Sequence, residues 1–172
     1  ADYITIKNLT LENTNLTNAC GVHFGSKADY NTIENCKIDL GNSSTNTTIM
    51  AILGCVTESS PTGYGDAGNY NTIKNNRIIG GYYSIKFLGT TTTALSIGNK
   101  FLSNTIEQYY YYGAYFYYQK NLLFQYNRII KPRNASATGV YGYYTYNSVY
   151  DANIIHPGYY GMVIGYNQNV AP

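Results

Sequence analysis

The stretch "NYNTIKNNRIIGGYYSIKF", residues 69–87, sets four asparagines and a double tyrosine among isoleucines. With Asn71 as position zero, apolar residues fall at position two (Ile73) and position seven (Ile78), with Asn76 at position five. Side chains alternate across a strand and a bend resets their phase, so this spacing predicts a short strand, a sharp bend and a second short strand. A helical period does not fit.

The pattern recurs. "DYITIKNLTL", "DYNTIENCKI", "IGNKFLSNTI", "KNLLFQYNRI" and "TYNSVYDANI" superimpose on "NYNTIKNNRI" without gaps, giving leading positions Ile4, Asn31, Asn71, Asn99, Leu122 and Asn147. Position two then reads Ile6, Ile33, Ile73, Phe101, Phe124 and Val149, and position seven Leu11, Ile38, Ile78, Ile106, Ile129 and Ile154. Both are apolar throughout and define two inward faces. Position five reads Leu9, Cys36, Asn76, Asn104, Asn127 and Ala152. A third motif follows each copy, glycine and then an apolar residue, as in "GVHF" from Gly21, "GAYF" from Gly113, "GVYG" from Gly139 and "GMVI" from Gly161, with "SIKF" from Ser84 as a variant. Three short strands per repeat make one rung of a parallel β-helix, with rungs about 4.8 Å apart. "YNQNV" at Asn167 opens a seventh copy. The expected fold is therefore all-β, a parallel β-helix of six to seven rungs forming one domain over residues 1–172. A piece that opens and stops in mid-pattern is expected to belong to a longer chain or to stack end to end. In such a coil like residues stack on like, so Asn31, Asn71 and Asn99, then Asn147 and Asn167 beyond Leu122, form one predicted amide ladder and Asn76, Asn104 and Asn127 another. An amide at a bend also tolerates left-handed backbone angles.

Composition narrows the function classes. The chain carries 11 Lys plus Arg, 9 Asp plus Glu and 22 tyrosines. With no run of like charge, attraction to nucleic acid is not indicated. The longest apolar run, "IMAIL" at 49–53, is far short of the roughly 20 residues of a membrane-spanning helix. Cys20, Cys36 and Cys55 are odd in number and lack CxxC spacing, so no zinc site is expected.

The repeat resembles that of the pectate-lyase-like superfamily of parallel β-helices, whose rungs read approximately N-x-I-x-x-N-x-I followed by G-I-x-hydrophobic; "NTIKNNRI" and "NKFLSNTI" carry the likeness. The resemblance implies right-handed winding. It also implies either a polysaccharide lyase or hydrolase, which would gather carboxylates on one strand, or a noncatalytic surface protein, to whose adhesin-like members the Asn, Thr, Tyr and Ile bias is most similar. A viral tailspike or fibre segment is a further alternative.

The acidic residues read as scattered, with no neighbouring rungs both acidic at one position. Glu58 and Asp66 share the long "CVTESSPTGYGDAGN" insertion and are the one candidate catalytic or calcium pair, solvated loop charges being the plainer account. Position six reads Thr10, Lys37, Arg77, Thr105, Arg128 and Asn153, an outward stripe holding three cations. His23 is predicted outward, and neither it nor His156 has a triad partner in a repeating register. No catalytic residue, metal ligand or cofactor is therefore assigned. The tyrosines carry more. "EQYYYYGAYFYYQ" at 107–119, "GVYGYYTY" at 139–146 and "GYYGMV" at 158–163 bring phenols to similar places on three rungs. Tyr115, Tyr117, Tyr141 and Tyr143 are the expected floor of a groove walled by the long connections at 52–70 and 88–98. Such a floor suits a neutral glycan or a partner protein. The expectation is a noncatalytic adhesive or structural domain at the cell surface or outside the cell.

Overall fold

The computed structural model describes residues 1–25, 27–41, 43–55, 65 and 67–165. They coil into stacked rungs of three strands. The first rung is β1 (Thr5–Lys7), β2 (Thr10–Glu12) and β3 (Ala19–Gly25), and the second β4 (Thr32–Glu34), β5 (Lys37–Asp39) and β6 (Ile49–Cys55). The third is β7 (Thr72–Lys74), β8 (Arg77–Ile79) and β9 (Tyr83–Leu88). After the short β10 (Ser96–Ile97) comes the fourth, β11 (Lys100–Leu102), β12 (Thr105–Glu107) and β13 (Tyr112–Lys120). The fifth is β14 (Leu123–Gln125), β15 (Arg128–Ile130) and β16 (Thr138–Tyr146), and the sixth β17 (Val149–Asp151), β18 (Ile154–Ile155) and β19 (Tyr160–Gly165). First, second and third strands form three separate sheets, ordered β1-β4-β7-β11-β14-β17, β2-β5-β8-β12-β15-β18 and β3-β6-β9-β13-β16-β19. Every pairing is parallel, for example Ile33 with Ile73 and Ile38 with Ile78. Six rungs make five steps of about 4.8 Å, a stack about 24 Å tall. The seventh copy expected at Asn167 lies outside the described residues.

The core is the bore of this coil. Ile33, Ile73, Phe101 and Phe124 fill it from the first sheet, Ile38, Ile78, Ile106 and Ile129 from the second, and Ile85, Phe87, Ala114, Phe116 and Val140 from the third, all buried. Four phenylalanines meet along it: Phe87 and Phe101 edge to face at 5.3 Å, Phe101 and Phe116 tilted at 4.9 Å, and Phe116 and Phe124 edge to face at 5.5 Å.

One register call is corrected. The sixth rung is shifted by one residue from the gapless alignment: β14 pairs Leu123 with Val149 and Phe124 with Tyr150, so Ser148 leads the rung instead of Asn147. Tyr150 thus takes the inward place expected for Val149, Asn153 the fifth position expected for Ala152, and Ile155 the seventh expected for Ile154. A one-residue slip exchanges the faces of a whole strand, and hydrogen bonding decides it here. Only with Asn153 at the bend does its amide accept from the backbone N–H of Asn127 at 2.8 Å. Val149 and Ile154 consequently lie exposed.

The corners obey a rule that the repeat hid. The residue before each bend position has positive φ in all six rungs: Asn8, Asn35, Asn75, Ser103, Tyr126 and Ala152, between 50° and 57°. The residue before each leading position does likewise: Tyr3, Tyr30, Tyr70, Gly98, Asn121 and Asn147. The stacked asparagines themselves are not left-handed. The turn is made by the preceding residue, and the amide satisfies peptide groups that the turn removes from the sheet ladder. Asn31, Asn71 and Asn99 each accept from the backbone N–H at the same position of the rung before, at 2.8 to 2.9 Å. Their NH2 groups donate to the carbonyls of Ala1, Ala28 and Gly68. The second ladder also runs amide to amide, Asn76 to Asn104 and Asn104 to Asn127 at 3.0 Å, then Asn127 to Asn153 at 3.1 Å.

Candidate functional site

The third sheet carries the tyrosines because its strands run longer and reset their phase partway along. Pairing passes from Cys20 with Met50 to Val22 with Ile52, skipping Gly21, so residues two apart around that position turn opposite ways. On the outward side this leaves three columns: Cys20, Met50, Tyr83, Tyr112; then His23, Leu53, Lys86, Tyr115, Tyr141; then Gly25, Cys55, Leu88, Tyr117, Tyr143. Tyr115, Tyr117, Tyr141 and Tyr143 therefore share one face, and all four are half-buried.

Their rings form a two-by-two array. Tyr115 and Tyr141 lie 4.9 Å apart at 4°, Tyr117 and Tyr143 5.2 Å apart at 29°. Along the strands the separations are 6.0 Å for Tyr115 and Tyr117 and 5.5 Å for Tyr141 and Tyr143. Parallel rings 4.9 Å apart overlap in offset stacks, so each ring turns a face to the next rung. Tyr83 stacks on Tyr112 at 5.2 Å and Tyr82 on Tyr111 at 5.5 Å, extending the surface by residues that the sequence reading passed over. "GGYYSIKF" and "YYYYGAYF", aligned on their third motifs, would have placed them. Of the wall expected beside this floor, residues 56–64 and 66, and with them Glu58 and Asp66, lie outside the described residues.

Burial shifts the titration of the tyrosines behind this surface. Burial pushes the Tyr109 phenol up to about 12, and burial together with neighbouring phenols raises Tyr112 further. In the unfolded chain both ionise near pH 10. The folded form keeps its protons longer, so stability is whole below about pH 10 and declines as pH rises towards 12. We expect urea midpoints to be flat from pH 7 to 9 and to fall above pH 10, with the fall reduced in Tyr109→Phe. An equally steep fall in that variant would rule out Tyr109 as a source.

The carboxylates are engaged elsewhere, and their registers correct the reading of scatter. Glu12 and Asp39 are paired neighbours on β2 and β5, and Lys37 bridges them at 2.9 and 3.0 Å. Asp2 and Asp29 stack too, in a third ladder: Asp2 accepts from the backbone N–H of Asp29, Asp29 from that of Asn69, and Asn69 from that of Ile97. Glu34 pairs with Lys74 at 3.1 Å, and Glu107 with Arg77 at 2.6 Å and Lys131 at 3.5 Å. Asp151 accepts from Gln125. Each carboxylate among the described residues thus has a cation or a donor. The outward stripe reads Thr10, Lys37, Arg77, Thr105, Arg128 and Ile154, with two of its three cations in those ion pairs.

His23 faces outward as expected, but half-buried, with Nε2 3.3 Å from Sγ of Cys55. Among the described residues no group of three or more His, Cys, Asp or Glu side chains converges as a metal site, and no helix is long and apolar enough to cross a membrane. Comparison with protein-family models, curated proteins and solved structures finds no match for this chain.

Proposed function

We propose that this β-solenoid is a noncatalytic binding domain of a surface or extracellular protein, and that its tyrosine face holds a neutral, extended glycan running along the stack. The observation that carries this reading is the repeat of the phenols: rings recur at 4.9 to 5.2 Å from rung to rung on one rigid sheet. Rungs ~4.8 Å apart repeat the same phenol positions along the stack, so an extended polymer lying along it meets a row of hydroxyls with every rung. Because the ring faces stack on one another, edges and hydroxyls form the contacting rim, suiting hydrogen bonds to sugar hydroxyls. Stacked side chains lose little freedom on binding, which favours a preorganised face. The described carboxylates serve ion pairs and ladders, consistent with binding without cleavage.

The test is a glycan array probed with the intact domain and with the Tyr115→Ala/Tyr141→Ala variant. We expect retention of neutral linear glycans by the intact domain, and a loss of roughly tenfold or more in the variant with its melting curve preserved. Binding to a partner protein alone would replace the glycan reading. Glycan cleavage, abolished by Glu58→Gln or Asp66→Asn, would establish an enzyme instead.

A further inference from the structure

The loops that join the second strand of a rung to its third run along one edge of the tyrosine-bearing sheet, and in three rungs they are long: residues 13–18, 40–48 and 131–137. Each of these carries the triplet Asn-x-Ser/Thr, at Asn15, Asn46 and Asn134. Two further triplets begin elsewhere, at Asn8 on the first corner of the first rung and at Asn42, outside the described residues. In the three loops the asparagine oxygen is pinned. Asn15 Oδ1 accepts from the N–H of Thr17 at 2.8 Å, and Asn134 Oδ1 from that of Ser136 at 2.9 Å. Asn46 Oδ1 accepts from the N–H of Thr48 at 3.1 Å, and the Thr48 hydroxyl lies 2.8 Å from the same oxygen. An amide held by its oxygen turns its nitrogen away from the turn, and Nδ2 of each makes no hydrogen bond with a described residue. Asn15 is exposed, Asn46 and Asn134 are half-buried, and each is followed by an exposed residue. The ladder asparagines are the reverse: Nδ2 of Asn71, Asn76, Asn104 and Asn127 donates to a buried carbonyl. The loops are fixed to one another as well, since the Ser44 hydroxyl donates to the Leu16 carbonyl and the Arg133 guanidinium to the Ser44 carbonyl, both at 2.8 Å.

We propose that Asn15, Asn46 and Asn134 are N-glycosylation sites on one tied edge of the solenoid, an inference that rests on the surface or extracellular reading above. The sugar donor is an oligosaccharide joined to a lipid diphosphate. Nδ2 attacks the anomeric carbon; the N–C bond forms as the C–O bond to the diphosphate breaks, one amide proton passes to a base of the transferring enzyme, and the lipid diphosphate leaves. The fold accommodates the product at these positions, because the substituted nitrogen has no partner to lose and the turn through Oδ1 survives. At a ladder position the same substitution would break a buried hydrogen bond and force sugar between rungs. The repeat itself keeps the triplet off both ladders: the residue two places after each ladder asparagine is an inward apolar one, Ile73 after Asn71 and Ile106 after Asn104. A glycan at Asn15 also covers the next residue, Leu16, which is 55% exposed.

The full chain is isolated from the cells that make it, separately from the surface and the cytosolic fractions, and its peptides are weighed before and after an amidase releases N-linked sugar and leaves aspartate. Sugar-bearing peptides are expected at Asn15, Asn46 and Asn134, each converted to aspartate by the amidase, with the ladder asparagines unmodified. Thr17→Ala, Thr48→Ala and Ser136→Ala should each remove the sugar from the asparagine two residues before, and Thr48→Ser should keep it. Thr17 and Ser136 hold their asparagines through the backbone N–H, so alanine there should leave the melting curve of the sugar-free protein unchanged. A surface protein with a bare asparagine at any of the three positions overturns the assignment of that position and leaves the surface reading standing. A chain found only in the cytosol overturns both. Sugar that persists at Asn46 in Thr48→Ala would show attachment by another chemistry and overturn the proposal there.

Discussion

Replacing Asn104 with Leu is expected to lower unfolding stability by about 3 kcal/mol, read as a shift of the urea midpoint at constant slope. Asn104 is 1% exposed and joins three rungs. Its amide oxygen accepts from both the backbone N–H and the side-chain NH2 of Asn76, each at 3.0 Å. Its own NH2 donates to the Ile73 carbonyl at 2.9 Å and to the Asn127 amide at 3.0 Å. Leucine has nearly the same volume and strands these groups away from water. The Asn76 N–H then has no acceptor at the corner, and each buried orphan costs about 1 to 3 kcal/mol. Asn153→Leu, at the end of the ladder and partly open to solvent, should cost less than half as much. Equal midpoints for Asn104→Leu and the parent would show that water replaces the amide and that the ladder contributes nothing.

The ladder also explains how far the sequence could be read. Ile33, Ile73 and Phe101, with Ile38, Ile78 and Ile106, announce two inward faces because the bore excludes water from every rung at the same positions. The asparagines announce the corners because a tight bend leaves peptide groups that a stacked amide can serve. The slip in the sixth rung was hidden since "NSVYDANII" is apolar in either register; the choice lay in whether Asn153 or Ala152 completed the amide chain. The left-handed corner residues were hidden for a different reason. Tyr, Ser, Asn, Ala and Gly all occupy them, so backbone geometry repeats where side-chain chemistry does not.

For the candidate site, outward placement of Tyr115 and Tyr141 followed from the glycine motif, whereas the column of His23, Leu53 and Lys86 did not. "AILGC" and "GVHFG" differ at every aligned residue and share only an apolar second one, and only pairing of Ile52 with Val22 and Ile85 puts His23, Leu53 and Lys86 in one column. A solenoid stacks equivalent positions whatever residue they hold, so irregular residues on a regular frame become neighbours unannounced. The tyrosine face arises this way, on the one sheet whose strands are long enough to present several outward columns.

The second large effect is expected of Gly68→Ala, which should destabilise the domain by more than about 4 kcal/mol and leave little soluble, folded protein at 37 °C. Gly68 has φ of +89°, a conformation that L residues adopt only with strain. A Cβ built there meets the backbone of Ala28 in the rung below, striking its carbonyl oxygen and lying 2.6 Å from its carbonyl carbon and 2.8 Å from its nitrogen. No rotamer relieves such a clash because every atom involved is main chain. Relief would require parting the rungs where the Asn71 NH2 bonds the same Ala28 carbonyl at 2.7 Å and the Gly68 carbonyl accepts from Asn99, so the ladder loosens with the corner. Gly161→Ala is the matched control. Its Cβ would meet only Pro157 Cγ at 4.0 Å, and its φ is not positive, so its melting temperature should stay within a degree or two of the parent. Similar melting curves for the two variants would mean that the second and third rungs separate at this corner without cost, which the hydrogen bonds of Asn71 and Asn99 forbid.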